Sequence, residues 1–379
     1  MREYALVFLV AAAVTYLLTV VAREIALRTG AVAKVRDRDV HAEPVPYFGG
    51  LAMLGGLVAA YLVARELPFL STHSGPFVFR DAGIVLIAGA FICAIGTLDD
   101  LFELDALIKL AGQIAAAGFL VLQNVQYLYF SSNDTQFSID PAQGALLTVF
   151  IVVATVNAVN FVDGLDGLAA GVVCIGALAF FAFCYQLARF NDQSVATTGA
   201  LLCAMLAGAC VGFLPHNINP ARLFMGDSGS MLIGLVLSAS AITLTGQFNP
   251  DDVSKGAMGT QANFLVTLLP VLLPLAILVV PLADLVLAVV RRTRAGRSPF
   301  APDKQHLHHR LLEIGHSQRR AVLIMWMWAA LVAFSTVLAS LYSGKWVVAV
   351  VGLMTLVTVV LTFVLPRVRR PRLPVLDEG

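Results

Sequence analysis

Four polar side chains recur at intervals of three between two long apolar runs: Asn157, Asn160, Asp163 and Asp166. Residues three apart lie near one face of a helix or helical turn, so this spacing predicts a single polar edge. Hard oxygen donors of this kind suit Mg²⁺ and the polar edges of a nucleoside. Gly164 and Gly167 interrupt the helix and let backbone approach a ligand. A purely structural polar turn is the weaker reading, because four such groups beside apolar spans are costly to keep.

Four further segments carry chemistry. Asp99 and Asp100 are adjacent carboxylates that repel unless solvent, a cation or a proton compensates them. Neighbours in a helix do not share a face, so direct binding of one Mg²⁺ by both does not follow, and one of them is a candidate base or outer-shell ligand; a solvated helix end is the alternative. Asp227 lies among Gly226, Ser228 and Gly229 at the start of an apolar run, where a helix N-terminus favours an anion. Phe224 beside it is placed to stack on a base, or simply to pack. Arg38 and His41, ahead of the stiff Pro44–Pro46 approach, could hold a cation over a phosphate or serve as a basic anchor. His306, His308 and His309 sit in a basic segment with Arg294, Arg297, Lys304 and Arg310. Zinc wants three or four ligands in a defined geometry, so phosphate and sugar contact is the preferred reading over zinc, with a loop facing anionic headgroups as the bland one.

These groups need a frame. Of 379 residues, 59% are hydrophobic and 13% charged, against about 25% charged in soluble domains. Uninterrupted apolar runs recur along nearly the whole chain, and a helix crossing a bilayer takes about 20 such residues. The expected spans lie near 4–22, 47–64, 83–98, 106–124, 144–160, 167–187, 197–214, 229–246, 263–290, 322–342 and 346–365. The fold class is therefore an all-α polytopic membrane protein of about eleven transmembrane helices. Alternate loops hold 19 and 6 Lys and Arg residues, and the positive-inside rule puts the richer set in the cytoplasm. The N-terminus is then outside and the C-terminus inside. The first span, followed by basic residues, reads as retained and not as a cleaved signal. Residues 1–370 form one transmembrane domain with cytoplasmic loops at 23–47, 97–106, 157–168, 215–229 and 291–321, and 371–379 form a short tail.

Charge and cysteines exclude other classes. A net charge of +1 points to no nucleic-acid partner. All five cysteines lie in apolar runs without a CxxC pair and read as small buried hydrophobes. A transporter or lipid flippase should place ionisable groups at mid-membrane along a path. Here they crowd one rim, with Asp284 the clearest exception, which favours an enzyme at the cytoplasmic surface.

In order along residues 36–311, these motifs resemble the polyprenyl-phosphate N-acetylhexosamine-1-phosphate transferase superfamily (the MraY, WecA and TagO-like enzymes). The matching pieces are Gly49–Gly50 after a Pro-containing loop, Asp99–Asp100, the Asn157–Gly167 segment, Phe224–Ser230 and the His306–Leu311 segment. The resemblance implies that a UDP-activated N-acetyl sugar gives its sugar 1-phosphate to a polyprenyl phosphate, undecaprenyl or decaprenyl, with release of UMP. It implies Mg²⁺, or Mn²⁺ in its place, with Asp227 as principal ligand and Asn160 as second. Asp99 and Asp100 become the catalytic pair, Asp166 the reader of uracil and Phe224 its stacking partner. Asp163 falls near the ribose or diphosphate, and the three histidines close on the diphosphate and sugar. Asn157, Arg38, His41, Arg294 and Arg297 complete the substrate contacts. The separated histidines and the absence of a Lys-rich first loop resemble the GlcNAc-1-phosphate branch, so UDP-GlcNAc is the expected donor. The phospho-MurNAc-pentapeptide transferase is the rival within the class. Other expected partners are membrane lipids and, through apolar spans, a second copy of the chain.

Overall fold

The computed structural model describes residues 1–32, 44–72, 77–127, 129–132, 135–191, 194–245, 293–294, 296, 317–342 and 344–364. Of the expected features, the span at 263–290, Asp284, Arg38, His41, Arg297, the three histidines and the 371–379 tail lie outside them.

Among the described residues, nine helices are long and apolar enough to cross a membrane, which makes this a multi-pass membrane protein. The helices are α1 (Arg2–Thr29), α2 (Gly49–Glu66), the short α3 (Pro68–Thr72), α4 (Phe77–Phe102), α5 (Ala106–Leu122), α6 (Pro141–Val162), α7 (Leu168–Asn191), α8 (Ser194–Asn217), α9 (Gly226–Thr245), α10 (Gln318–Leu341) and α11 (Lys345–Val364). The nine exclude α3 and α5. Helix α5 is apolar but has 17 residues, about 25 Å of rise against an apolar core of about 30 Å.

Two expectations change. The third span, expected at 83–98, is the 26-residue α4. Its helix runs on through Asp81, Asp99 and Asp100 because their polar groups find partners inside the protein. An apolar window stops at the first charge, whereas backbone hydrogen bonding does not. The bundle is all-helical, as expected, and the second change is a small hairpin in one connection. Between α5 and α6 the strands β1 (Tyr129–Ser132) and β2 (Thr135–Ser138) form an antiparallel hairpin, with Tyr129 opposite Ser138.

Helices α8 and α9 form the enclosed centre, wrapped by α1, α2, α4, α6 and α7. Their fully buried side chains are mostly Ala, Leu, Val, Met and Cys, small enough to let many helices converge. Helix α11 lies at the periphery, with Val348, Leu353 and Leu356 exposed, as expected for a face that meets lipid tails. The tightest approach lies where the start of α9 wedges between α2 and α4. A Cβ added at Gly50 would meet Gly229 Cα at 2.7 Å, and one at Gly96 would meet the carbonyl carbon of Asp227 at 2.6 Å. This wedge sets the position of Asp227.

Candidate active site

Asp227 is the second residue of α9, so its carboxylate emerges where the helix presents unpaired N–H groups. One oxygen, Oδ1, accepts from Asn160 Nδ2 at 2.8 Å. The same amide nitrogen donates to Ser230 Oγ at 2.9 Å, one turn along α9. The other oxygen, Oδ2, accepts from Lys109 Nζ at 3.0 Å. Lys109 also donates to Asp99 Oδ2 at 2.8 Å. Four elements, α4, α5, α6 and α9, thus converge on one half-buried ion-paired cluster.

The approach of Lys109 to Asp99 follows from a tight reversal. Helix α4 ends at Phe102, Glu103 takes a left-handed φ of 50°, and Asp105 caps α5 by accepting from Leu107 N–H at 2.8 Å. Asp99 Oδ1 accepts from Leu104 N–H at 2.8 Å and pins the same turn. Lys109, one turn into α5, is carried back over the end of α4. In the sequence Lys109 stands only as one of the basic residues of the cytoplasmic set, with nothing to mark this role except its isolation beside an apolar run.

Asp99 and Asp100 face different partners. While Asp99 meets Lys109, Asp100 Oδ1 accepts from Asp227 N–H at 2.8 Å and Oδ2 from Ser228 N–H at 3.3 Å.

The 157–166 segment does not form a single edge. Asn157 and Asn160 lie on α6, but α6 ends at Val162, Asp163 is its C-cap residue, and Gly167 takes a φ of 77°. Asn157 points to Gln113 of α5, donating through Nδ2 to Gln113 Oε1 at 2.6 Å and to Val153 O at 2.8 Å. Asp163 stays near the cluster. Burial, and then the charges of Asp227, Asp100 and Asp166, push its carboxyl well above the ordinary carboxylate range. Asp166 turns away and is buried. Its Oδ2 accepts from Asn219 Nδ2 at 3.0 Å and from Ala221 N–H at 3.1 Å.

The 217–225 turn is stitched on both sides, on one of them by residues that the sequence motifs do not mark. Asn217 accepts from Gly167 N–H at 2.9 Å through Oδ1 and donates to Leu223 O at 3.0 Å through Nδ2. Asn219 Nδ2 also donates to Gln318 Oε1 at 2.7 Å, and Arg319 Nε donates to Asn219 O at 2.7 Å, which ties the start of α10 to this turn. The Asn217–Pro220 stretch carries a turn signature, but not its partners. On the other flank, Phe224 N–H donates to Pro46 O at 2.9 Å, and Gly49 N–H donates to Phe224 O at 3.0 Å. The Phe224 ring lies 6.2 Å from that of Tyr47, centroid to centroid. The end of the first loop is thus joined to the Asp227 turn. Arg294 is exposed, and no described contact joins it to the cluster.

The donor set can be tested against a metal. Among the described residues, no group of three or more His, Cys, Asp or Glu side chains gathers as a metal cage. Mg²⁺ does not require one, since one or two carboxylates with substrate phosphate and water commonly complete its shell. Asp227 and Asp99 are two carboxylates turned to one point, and that point already attracts a cation, the Lys109 ammonium. The residues fit a hard divalent ion shared with a phosphate substrate.

Comparison with known proteins agrees with this chemistry. The profile described as Glycosyl transferase family 4 matches residues 82–245, the stretch from α4 through α9 that builds the cluster. A protein of Mycolicibacterium smegmatis named decaprenyl-phosphate N-acetylglucosaminephosphotransferase is 46% identical over 375 residues, covering 98% of this chain and 90% of that protein. Its namesake in Mycobacterium tuberculosis is 48% identical with the same coverage. The undecaprenyl-phosphate alpha-N-acetylglucosaminyl 1-phosphate transferase of Escherichia coli is 30% identical over 345 residues, covering 88% of this chain and 83% of that protein. With such identity over nearly its whole length, and with the matched region holding the carboxylate cluster, this chain belongs to glycosyl transferase family 4, among the polyprenyl-phosphate N-acetylglucosamine-1-phosphate transferases.

Proposed function

We propose that the chain transfers N-acetylglucosamine 1-phosphate from UDP-GlcNAc to a polyprenyl phosphate, releasing UMP. The meeting of Asp99, Asp227, Asn160 and Lys109 at one membrane rim carries this reading. An oxygen of the acceptor phosphate attacks the sugar-bearing phosphorus of the donor. The bond from that phosphorus to the bridging oxygen breaks, and UMP leaves with the electron pair. Two anionic phosphates must approach, so positioning and charge compensation supply most of the catalysis. A phosphate monoester loses its second proton near pH 6, so the acceptor is already dianionic at neutral pH and asks little of a general base.

Asp227, with Asn160 and Asp99 beside it, would hold Mg²⁺, which supplies positive charge against the diphosphate when bound. Lys109 keeps the two carboxylates from repelling each other and offers an ammonium to an incoming phosphate. The wedge of α9 between α2 and α4 holds the cluster in register. Asp166, bonded to the 219–221 turn, and Phe224, at the end of that turn ahead of α9, are assigned to the uracil ring on the family resemblance, and Asp163 to the ribose or diphosphate. The site faces the cytoplasm of the bacterial plasma membrane in this reading, with the N-terminus outside, which rests on the Lys and Arg asymmetry. The acceptor is assigned as decaprenyl phosphate, on the names of the mycobacterial relatives.

Purified protein supplied with Mg²⁺, decaprenyl phosphate and either UDP-GlcNAc or UDP-MurNAc-pentapeptide tests the donor. UMP is expected from UDP-GlcNAc. Release from the pentapeptide donor alone would overturn the assignment.

A further inference from the structure

Adjacent carboxylates invite the reading that they act together, but the structure separates them. The Asp100 carboxylate spans the first turn of α9, accepting from Asp227 N–H at 2.8 Å and Ser228 N–H at 3.3 Å. These are helix-start N–H groups with no partner inside the helix, and a carboxylate there is favoured by the helix dipole. Asp100 thus satisfies from α4 what a capping residue within the chain would normally supply.

The fit leaves no slack. Gly226, at a φ of 68°, lies against the Asp100 carboxylate, and a Cβ there would meet Asp100 Cγ at 2.7 Å. One turn back on α4, Gly96 lets the backbones of α4 and α9 touch at Ser228. Asp227 is the residue whose own N–H Asp100 grips. The direction of the Asp227 carboxylate toward Asn160 and Lys109 therefore depends on how Asp100 seats the helix.

We propose that Asp100 is a positioning residue that seats the N-terminus of α9 and so aims the Asp227 carboxylate at the metal position, while Asp99 alone of the pair faces the cluster. This rests on the reading of Asp227 as a metal ligand. Asparagine cannot replace Asp100. One side-chain oxygen can accept from one N–H, but its NH₂ then confronts the second N–H, donor against donor.

The test measures Mn²⁺ binding to the purified full chain by electron paramagnetic resonance titration, without donor or acceptor, alongside the Mg²⁺ concentration giving half-maximal UMP release. Asp100→Asn should weaken Mn²⁺ binding by about ten- to a hundredfold, as loss of a group orienting a metal ligand does, and raise the Mg²⁺ half-saturation in step. Gly226→Ala keeps every carboxylate but displaces Asp100, and should do the same. Gly30→Ala carries a similar left-handed strain, at a φ of 73° with nothing within 4 Å, and should leave Mn²⁺ binding unchanged. Asp227→Asn should lose Mn²⁺ binding outright. If Asp227→Asn binds Mn²⁺ normally, the metal assignment fails. If Asp227→Asn loses it while Asp100→Asn and Gly226→Ala keep wild-type affinity, the positioning inference fails by itself. Loss of turnover in Asp100→Asn at unchanged Mn²⁺ affinity would likewise overturn it and make Asp100 a catalytic residue.

Discussion

Lys109 of α5 and Asp227 of α9, 118 positions apart in the chain, meet at 3.0 Å. The same ammonium reaches Asp99 at 2.8 Å. Two carboxylates brought this close at a membrane rim repel unless a cation lies between them, and Lys109 is that cation in the protein itself. The helix bundle can therefore assemble its acidic site before any metal or substrate arrives.

Removing that ammonium should be costly. Lys109→Met keeps the apolar stem but drops the charge, and kcat should fall about a hundredfold or more, as loss of one charge-stabilising donor does. Initial rates of UMP release measure it. Activity within a few-fold of wild type would show that Lys109 serves folding and not the phosphates.

Asn157 was expected to touch substrate, but its amide is engaged with Gln113. Asn157→Ala and Gln113→Ala should each lower the melting temperature, and the double variant should cost less than the sum of the two, with a coupling of about 0.5–3 kcal/mol. Additive effects, or a selective rise in donor KM for Asn157→Ala, would return Asn157 to the substrate.

Asn217 holds two backbone groups of neighbouring turns through a buried side chain. Asn217→Ala leaves an N–H and a C=O without partners, a loss of about 1–3 kcal/mol for each. Thermal unfolding should fall by several degrees. An unchanged melting temperature would mean that water or a rearranged turn replaces both bonds.

Asp163 sets a pH signature. Its carboxyl is pushed above the ordinary carboxylate value, first by burial and then by Asp227, Asp100 and Asp166. The folded state therefore binds the proton more tightly than the unfolded chain, so stability falls as pH rises out of the ordinary carboxylate range toward the raised folded value. Asp163→Asn removes this penalty. In chelator, its melting temperature should exceed wild type by a few degrees at neutral pH, and the gap should close as pH falls. A gap independent of pH would rule out titration of Asp163 as the cause.

The residues that announced themselves in sequence were those whose type is expensive between apolar spans. Asp99, Asp227 and Asn160 stood out for that reason, and they do converge. The apolar runs likewise marked where helices lie, because membrane spans are written in local composition. Lys109, Gln113, Asn217 and Asn219 were not legible, since each matters through a partner 44 or more positions away, or through a backbone group that composition does not reveal. The spacing of three between Asn157 and Asp166 misled at its far end. The helix stops at Val162 and the chain turns at Gly167, so Asp166 faces the 219–221 turn and not the edge of α6. Asp99 and Asp100 look equivalent on the page and become different once α5 and α9 are packed against α4.

The most direct test follows the phosphorus. UDP-GlcNAc labelled in the sugar-bearing phosphate is incubated with Mg²⁺, decaprenyl phosphate and either wild-type protein or Asp227→Asn. The label should move into the lipid product with wild type, unlabelled UMP should appear in equal amount, and Asp227→Asn should do neither while remaining folded. Label left in a released nucleotide, or transfer by Asp227→Asn at near wild-type rate, would contradict the account.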